Sequence, residues 1–312
     1  MRTLKTLAAL LLIVLMLSID SAANAHGSND RQKRLPVIDM HVHAEDEEGY
    51  NPKAVLGGLV ASESPEALFK ETYEQFRKWN VVKAVVSGPL DCVETWKSKD
   101  EDNRIIRGVI QFAPNDNQLD PVRLDKLINN GKIEVFGEII PPLSGTKISD
   151  PEWQPYLKIC EQYDIPLAIH TGCAPPAIKG TSTAKSRRLL DDPFIVEDVI
   201  VNYPKLRIYL CHSGAVYHER VLVLMSYYPR IYTDLGWVLW GDPLSRRYAR
   251  EFLAKAKEAG CLDRVMFGSD QMQWPQAIGM SIKYLNSLDF LTEQDKRDIL
   301  YNNAVRFLKL KE

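Results

Sequence analysis

The chain has 312 residues, a formal net charge of −2 and 45% hydrophobic residues, a composition that is ordinary for a globular protein. The near-neutral charge argues against nucleic acid or an anionic membrane as the partner. Five cysteines, an odd number, do not suggest a disulfide framework in a domain of this size. We therefore expect buried free thiols, with one incidental bridge left open.

Residues 1–25 have the pattern of a signal peptide. A short basic region precedes the uninterrupted apolar run Leu7–Leu17, and Ala23–Ala25 is a small-residue cleavage motif. The apolar run is shorter than the roughly 20 residues that span a bilayer. We expect export to the periplasm or the medium, cleavage after Ala25 and no stable membrane anchor afterwards; an uncleaved signal anchor is the alternative. Residues 26–35 are polar and predict a disordered tail.

Strand and helix patterns alternate over residues 36–312. The eight predicted strands are Pro36–His43, Val82–Val86, Arg104–Phe112, Ile133–Ile140, Pro166–His170, Arg207–His212, Arg230–Asp234 and Arg264–Asp270. The predicted helices are Pro65–Trp79, Asp120–Asn129, Asp150–Tyr163, Val196–Asn202, Glu219–Tyr227, Leu244–Ala259, Met280–Leu288 and Glu293–Leu310. This order predicts parallel pairing and an α/β fold, a (β/α)₈ TIM barrel, which takes about 250 residues. A doubly wound open sheet is the alternative, although no Gly-rich phosphate turn follows the first strand.

The first predicted strand carries two histidines on one face. Alternation places Val37, Asp39, His41 and His43 on one side of the strand. It places Ile38, Met40 and Val42 on an apolar side that can pack under helices. Two histidines on one face of one strand suit a single metal ion. We expect Asp39 to lie one layer below and to orient them.

The other candidate metal ligands also lie at the C-terminal ends of predicted strands. In a TIM barrel the chemistry lies at the C-terminal ends of the strands. The six side chains expected there, which include four of the six histidines, are His41, His43, Glu138, His170, His212 and Asp270. Singly, each has an ordinary explanation, such as a hydrogen-bonded core histidine, a carboxylate paired with lysine or a helix cap. Together, so many buried polar groups would be costly without a common partner, and a divalent cation is the natural one.

This ordered set resembles the amidohydrolase superfamily, specifically its amidohydrolase-related branch of metal-dependent TIM-barrel hydrolases and decarboxylases. The resemblance runs from Pro36 to the end of the chain and is carried by Ile38–His43, Gly137–Ile139, Ile169–Gly172, His212–Gly214, Phe267–Asp270 and Ile299–Ala304. It implies that His41, His43 and Asp270 hold one metal ion and that His170 and His212 hold a second.

The resemblance also indicates which residue would bridge the two ions. Many members have a carboxylated lysine on strand four, where this chain has Glu138, as some binuclear members do. Gln271 and Met272 depart from the aromatic residue and proline that often follow the aspartate, which leaves the shape of the pocket open. Zinc fits the mixture of histidine and carboxylate, with manganese, iron, cobalt or nickel as alternatives.

Hydrolysis of an amide, ester or lactone bond in a small organic substrate is the leading functional hypothesis. Two ions about 3.5–4 Å apart would lower the pKa of a shared water, and Asp270 would take its proton and deliver it to the leaving group. The alternative is non-oxidative decarboxylation of an aromatic or muconate-type acid, which relies on one ion, so Glu138 is the discriminating residue. A non-catalytic exported metal- or ligand-binding protein is a third reading, disfavoured because it has no need of an aspartate opposite a water site.

Substrate contacts are suggested only by position in the loops. The candidates that follow strands five to eight are Trp237, Trp240, Trp274, Arg187 and His218. Rings there would stack on a planar or sugar-like group and an arginine would bind a carboxylate, although such tryptophans often only pack and such loops are often solvated. Asp234 is expected to be a hydrogen-bond anchor. The sequence names no substrate and leaves a homo-oligomer open.

Overall fold

The computed structural model describes residues 34–48, 50–115, 119–172, 177–180 and 183–311. The predicted signal peptide and most of the predicted tail lie outside these residues. At the end of that tail, the guanidinium of Arg34 donates to Lys78 O over 2.7 Å and lies 4.4 Å from the centre of the Trp79 ring. Among the described residues, none of the helices combines the length and the apolar character needed to cross a membrane.

The described residues form ten strands. They are β1 (Val37–His43), β2 (Val55–Leu56), β3 (Leu59–Val60), β4 (Val81–Ser87), β5 (Ile105–Arg107), β6 (Phe136–Ile139), β7 (Leu167–Ile169), β8 (Ile208–Leu210), β9 (Ile231–Asp234) and β10 (Val265–Met266). Strands β2 and β3 form a small antiparallel hairpin. The other eight pair in parallel, in the orders β1-β4-β5 and β6-β7-β8-β9-β10.

Main-chain hydrogen bonds join these two sheets at both seams. At one seam Val109 N donates to Gly137 O over 3.1 Å, and at the other Met40 N donates to Phe267 O over 2.9 Å. Asp270 N also donates to His41 O over 2.7 Å, so the second seam continues to the C-terminal ends of the strands. The eight parallel strands therefore close into the predicted TIM barrel.

Helices cover the outside of the barrel. They are α1 (Pro65–Trp79), α2 (Leu90–Ser98), α3 (Pro121–Asn129), α4 (Gln154–Gln162), α5 (Glu197–Asn202), α6 (His218–Tyr227), α7 (Pro243–Glu258), α8 (Gln276–Asn286), α9 (Glu293–Arg297) and α10 (Asn303–Leu308). A π-helical turn, Asp298–Asn302, joins the last two. Short 3₁₀ segments are Pro141–Ser144, Pro151–Trp153, Arg188–Asp191, Pro193–Val196, Cys211–Tyr217 and Leu262–Arg264.

Local signals in the sequence account for most helix boundaries. The Ser64 hydroxyl accepts from Ala67 N at the start of α1, and Asp242 accepts from two main-chain N–H groups at the start of α7. Helix α2 is not predicted from the sequence, because this nine-residue helix has no side-chain cap and buries only Val93 and Trp96. The β2–β3 hairpin is not predicted either, since its strands have two residues each.

One prediction about β1 is wrong, because two of its side chains lie inside the barrel. Ile38 and Met40 were expected to pack under helices, but they lie in an inner apolar cluster with side chains of five other barrel strands. The β1–β4 register shifts between Asp39 and Val42, so strict alternation fails at this point. Helix α10 adds Ala304 and Phe307 to the cluster and closes the N-terminal end of the barrel.

Candidate metal centre

His41 and His43 bring two ring nitrogens together at the C-terminal end of β1. Their Nε2 atoms are 3.1 Å apart, and Asp270 Oδ1 lies 3.1 Å from His43 Nε2 and 3.7 Å from His41 Nε2. Ligands placed tetrahedrally about 2.1 Å from a zinc ion are about 3.4 Å apart. The spacing of these three buried donors therefore fits one metal ion.

His170 and His212 form a second donor set. His170 Nδ1 and His212 Nε2 are 3.0 Å apart, and Glu138 Oε1 lies 2.7 Å from the first and 3.0 Å from the second. Both histidines and Glu138 are buried. The two sets lie side by side, since the His41 and His212 rings are 5.1 Å apart.

Glu138 faces both donor sets at once. Its Oε2 atom lies 3.4 Å from His41 Nε2 and 3.6 Å from His43 Nε2, while its Oε1 atom faces His170 and His212. The structure thus brings together all six residues selected from the sequence. Their role as ligands remains a prediction, and their donor types and spacing fit two divalent ions with Glu138 between them.

The charges of the buried side chains also suit the binding of divalent ions. Burial by itself would lower the pKa of His41, but the carboxylates of Asp270 and Asp234 raise it well above its usual range. Burial would raise the pKa of Glu138, yet His41 and His170 hold it well below its usual range. The site therefore pairs carboxylates with positive charge. Divalent cations supply that charge without protons, so metal binding would displace protons from the histidines.

Asp234 confirms the prediction of a hydrogen-bond anchor. Its Oδ2 atom lies 3.0 Å from His41 Nδ1, and Oδ1 accepts from the main-chain N–H groups of His212 and Gly236. His212 Nδ1 lies 3.2 Å from Gly236 O. These contacts fix which ring nitrogen of His41 and of His212 faces the centre of the site.

The strand carrying His212 ends earlier than predicted. β8 ends at Leu210, and φ is positive at His212, Ser213, Gly214 and Ala215. Residues with a side chain uncommonly adopt such angles. This turn, held by Asp234, places the His212 ring beside His170 and Glu138 in place of a regular strand end.

Asp191 is a member of the site that the sequence analysis missed. It is fully buried in a 3₁₀ turn, and its Oδ1 atom lies 3.6 Å from His170 Nε2, on the far side of the ring from Glu138. This is the position from which a carboxylate orients a metal-binding histidine. It lies outside every strand, so a search of strand ends could not have found it.

Asp39 supports the main chain of the site instead of a ring. Its Oδ1 atom accepts from His41 N over 3.1 Å and from Ser269 N over 2.8 Å, so it ties β1 to the segment that carries Asp270. Burial raises the pKa of Asp39 to about 7, although the bonds from Ser269 and His41 favour the charged form.

This pKa predicts a pH dependence for stability. The unfolded pKa of an aspartate is about 3.9, so the folded protein holds a proton that the unfolded chain loses from about pH 4 upward. This proton stabilises the folded state, and its contribution to the free energy of unfolding is fully present below about pH 4. The contribution falls by about 1.4 kcal/mol per pH unit above pH 4 and is lost as pH rises through about 7. Asp39→Asn should therefore gain stability relative to the wild type between pH 4 and 7, measured by denaturant unfolding of the metal-free proteins. A difference that stays constant over this range would contradict the assignment.

Gln271 holds the backbone of His43 from both sides. Its Oε1 atom accepts from His43 N over 2.8 Å and its Nε2 atom donates to His43 O over 2.7 Å. The side chain is fully buried. Gln271 stands where the family pattern often has an aromatic residue, and here it fixes the backbone of a candidate metal ligand, His43.

Gln271→Leu should weaken zinc binding about tenfold or more, because losing such support for a ligand commonly costs 10–100-fold in affinity. The matched control is Asn303→Leu, since Asn303 is a buried amide that donates to Leu262 O and Val265 O at the other end of the barrel. Both variants should lose stability, and only Gln271→Leu should lose zinc affinity, measured by competition with a chelating dye. Equal zinc affinity in the two variants would contradict this role.

Three of the predicted substrate contacts, Trp240, Trp274 and Arg187, make hydrogen bonds within the protein. Trp240 and Trp274 are buried, donate to Ser269 O and Ala54 O, and pack with the β2–β3 hairpin. Both indole groups are thus engaged in packing and hydrogen bonds within the protein. Arg187 is exposed and donates to the carbonyls of its own loop, Ala184 O and Ser186 O.

The two remaining candidates for substrate contact are His218 and Trp237. The His218 ring is buried, hydrogen-bonds to Ala215 O and lies 5.9 Å from the Tyr248 ring, so it is engaged within the protein. Trp237 is half-buried and lines an open pocket, so its substrate contact stays a prediction. Four of the cysteines are free thiols, and Cys173 lies outside the described residues.

Comparison with known proteins identifies the family. The family model described as Amidohydrolase matches residues 38–310, and the chain therefore belongs to this metal-dependent family, whose members act on small molecules. It is 26% identical to Protein fluG of Emericella nidulans over 163 residues, which are 47% of this chain and 18% of that protein. The chain thus matches less than a fifth of that relative's length.

Solved structures agree with the fold. An uncharacterised TIM-barrel protein from Bordetella bronchiseptica has a TM-score of 0.63 at 16% identity, over 88% of this chain and 99% of that one. A probable 2-pyrone-4,6-dicarboxylic acid hydrolase from Acinetobacter baumannii scores 0.59 at 14% identity, over 88% and 100%. 5-Carboxyvanillate decarboxylase from Sphingomonas paucimobilis scores 0.57 at 14% identity, over 89% and 100%. Identities this low bear on the fold alone.

Proposed function

We propose that this protein is a binuclear metal-dependent hydrolase of an amide, ester or lactone bond in a small organic molecule. The observation that carries the proposal is the placement of Glu138, with one oxygen beside His41 and His43 and the other beside His170 and His212. A carboxylate in this position suits a bridge between two ions. Two ions favour hydrolysis, because the decarboxylases of this branch rely on one.

Each side chain has a defined part in this proposal. His41, His43 and Asp270 would hold one ion, His170 and His212 the other, and Glu138 both, with zinc as the proposed metal. When bound, the ions lower the pKa of water towards 7 and polarise the substrate carbonyl.

Asp270 is the proposed proton carrier. Burial opposes its charge, but His41 and His43 hold its pKa at about 2, so the carboxylate is ionised at neutral pH. It would take the proton of the attacking water and deliver it to the leaving nitrogen or oxygen. The signal-peptide pattern supports a substrate encountered in the periplasm or the medium.

The test is a paired assay of the zinc-loaded protein without residues 1–25. One arm measures acid release from a panel of esters, lactones and amides. The other measures carbon dioxide release from aromatic and muconate-type carboxylic acids. Hydrolysis without decarboxylation is the expected result. Carbon dioxide release without hydrolysis would overturn the proposal in favour of the decarboxylase alternative.

A further inference from the structure

An open pocket of about 460 Å³ lies over the C-terminal ends of β7, β8 and β9. Its volume is in the range typical of small-molecule sites, about 300–1,000 Å³. The lining residues that matter here are Gly172, Arg188, Ala215, Tyr217, Trp237 and Tyr248. None of them is among the six candidate metal ligands.

The pocket borders the metal centre through its lining residues. Gly172 follows His170 by two positions, and Ala215 ends the turn that begins at His212. Trp237 follows Gly236, which packs so closely that a Cβ on it would lie 2.8 Å from His41 Nδ1 and 3.0 Å from Asp270 Cβ. These chain neighbours place the pocket next to the candidate metal centre, where the non-reacting part of a substrate would lie.

The walls of the pocket are mainly aromatic. Tyr217, Trp237 and Tyr248 are each half-buried, so their rings are partly open to the pocket. The Tyr217 hydroxyl donates to Arg188 O over 3.4 Å, and the Ser245 hydroxyl donates to Asp242 over 2.6 Å. These polar groups already have partners within the protein, so the walls offer mostly ring faces and apolar edges.

The charges beside the pocket decide which groups it accepts. Arg188 lines it, with Nη1 3.5 Å from Asp191 Oδ2, and the guanidinium of Arg220 lies 5.1 Å from the centre of the Tyr217 ring. Among the described residues that line the pocket, none is a carboxylate. Both guanidinium groups are paired with carboxylates outside the pocket, Arg188 with Asp191 and Arg220 with Asp192. A cationic group is therefore disfavoured, and a flat uncharged group fits.

We propose that this aromatic pocket binds the non-reacting part of the substrate and that this part is a flat, uncharged aromatic group of one or two rings. The substrate would then be an aryl ester or aryl amide. This inference rests on the proposed hydrolysis for the nature of the bond. None of the described lining residues is a candidate metal ligand, so occupation of the pocket can be measured separately from the hydrolysis.

The first experiment is calorimetric titration of 2-naphthol into the metal-free protein. Tyr248→Ala should weaken binding about tenfold, as expected for the loss of one aromatic contact together with its buried surface. Tyr248→Phe should bind within twofold of the wild type, because the ring is retained. Tyr227→Ala is the matched control, since Tyr227 is an exposed tyrosine at the end of α6 and outside the pocket. If Tyr248→Ala does not fold, Tyr217→Ala replaces it.

The second readout is kinetic and uses the zinc-loaded protein. Tyr248→Ala should raise KM for 2-naphthyl acetate about tenfold more than KM for methyl acetate. Absence of 2-naphthol binding to the wild type, or equal weakening in Tyr248→Ala and Tyr227→Ala, would overturn the aromatic pocket. If 2-naphthol binds as expected but no ester or amide is hydrolysed, the proposed function fails and the pocket stands.

Discussion

Replacing Glu138 by glutamine should lower the metal content from about two ions per chain to about one. The glutamine side chain has the same shape but carries no charge and only one acceptor oxygen, so it cannot serve both donor sets. In the structure, both carboxylate oxygens of Glu138 are within 3.6 Å of histidine nitrogens of the two sets. The measurement is elemental analysis of zinc-loaded protein after gel filtration.

The control for this experiment is Glu134→Gln. Glu134 lies just before β6, is partly exposed and pairs with Arg107 at 3.2 Å, so it belongs to the same segment but not to the metal centre. Its variant should keep about two ions per chain. If the wild type binds about one ion, and Glu138→Gln binds the same, the bridging role is wrong and the decarboxylase alternative gains support.

The second large effect is expected from Asp270→Asn, which should lower kcat by about 10³-fold. General acid–base catalysis contributes about 10²–10⁴-fold, and asparagine cannot accept the proton of the attacking water. The assay uses the most active ester or amide of the panel, with zinc in excess so that a weakened metal site remains filled. Metal content is measured in parallel to separate lost chemistry from lost metal.

Asp263→Asn is the matched control, because Asp263 is an exposed carboxylate beside Arg264 at the N-terminal end of β10. It should leave kcat within about twofold. An Asp270→Asn enzyme that keeps two ions and loses less than tenfold in kcat would show that another group carries the proton.

Much of the site was predictable because strand ends in a parallel barrel meet in space. The six candidate ligands are distant in sequence, yet each was selected from its place at the end of an apolar run, and all six converge. That rule depends only on parallel strand pairing and on the chemistry of histidine and carboxylate. The side chains that support the candidate ligands were harder to predict from the sequence. Asp191 lies on a turn in the loop after β7, and no pattern in the sequence connects it to His170.

Local geometry also departed from what periodicity predicts. The register shift in β1 sends Ile38 and Met40 to the barrel interior, and the turn at His212 replaces a strand end. Trp240 and Trp274 sit in loops like those that bind substrates, but they pack under the hairpin. Each difference arises from contacts between segments far apart in the chain.

By itself, the sequence determined the alternation of strands and helices, the barrel, the family and the six candidate metal ligands. These follow from short-range periodicity and from residue types at strand ends, which are written along the chain. Only the tertiary structure decided that Glu138 faces both donor sets and that Asp234 and Gln271 hold His41 and His43. It also decided that Asp191 lies beside His170 and that Tyr217, Trp237 and Tyr248 line a pocket. These depend on distances and ring orientations between separate loops, which packing of the whole barrel sets and no local pattern encodes.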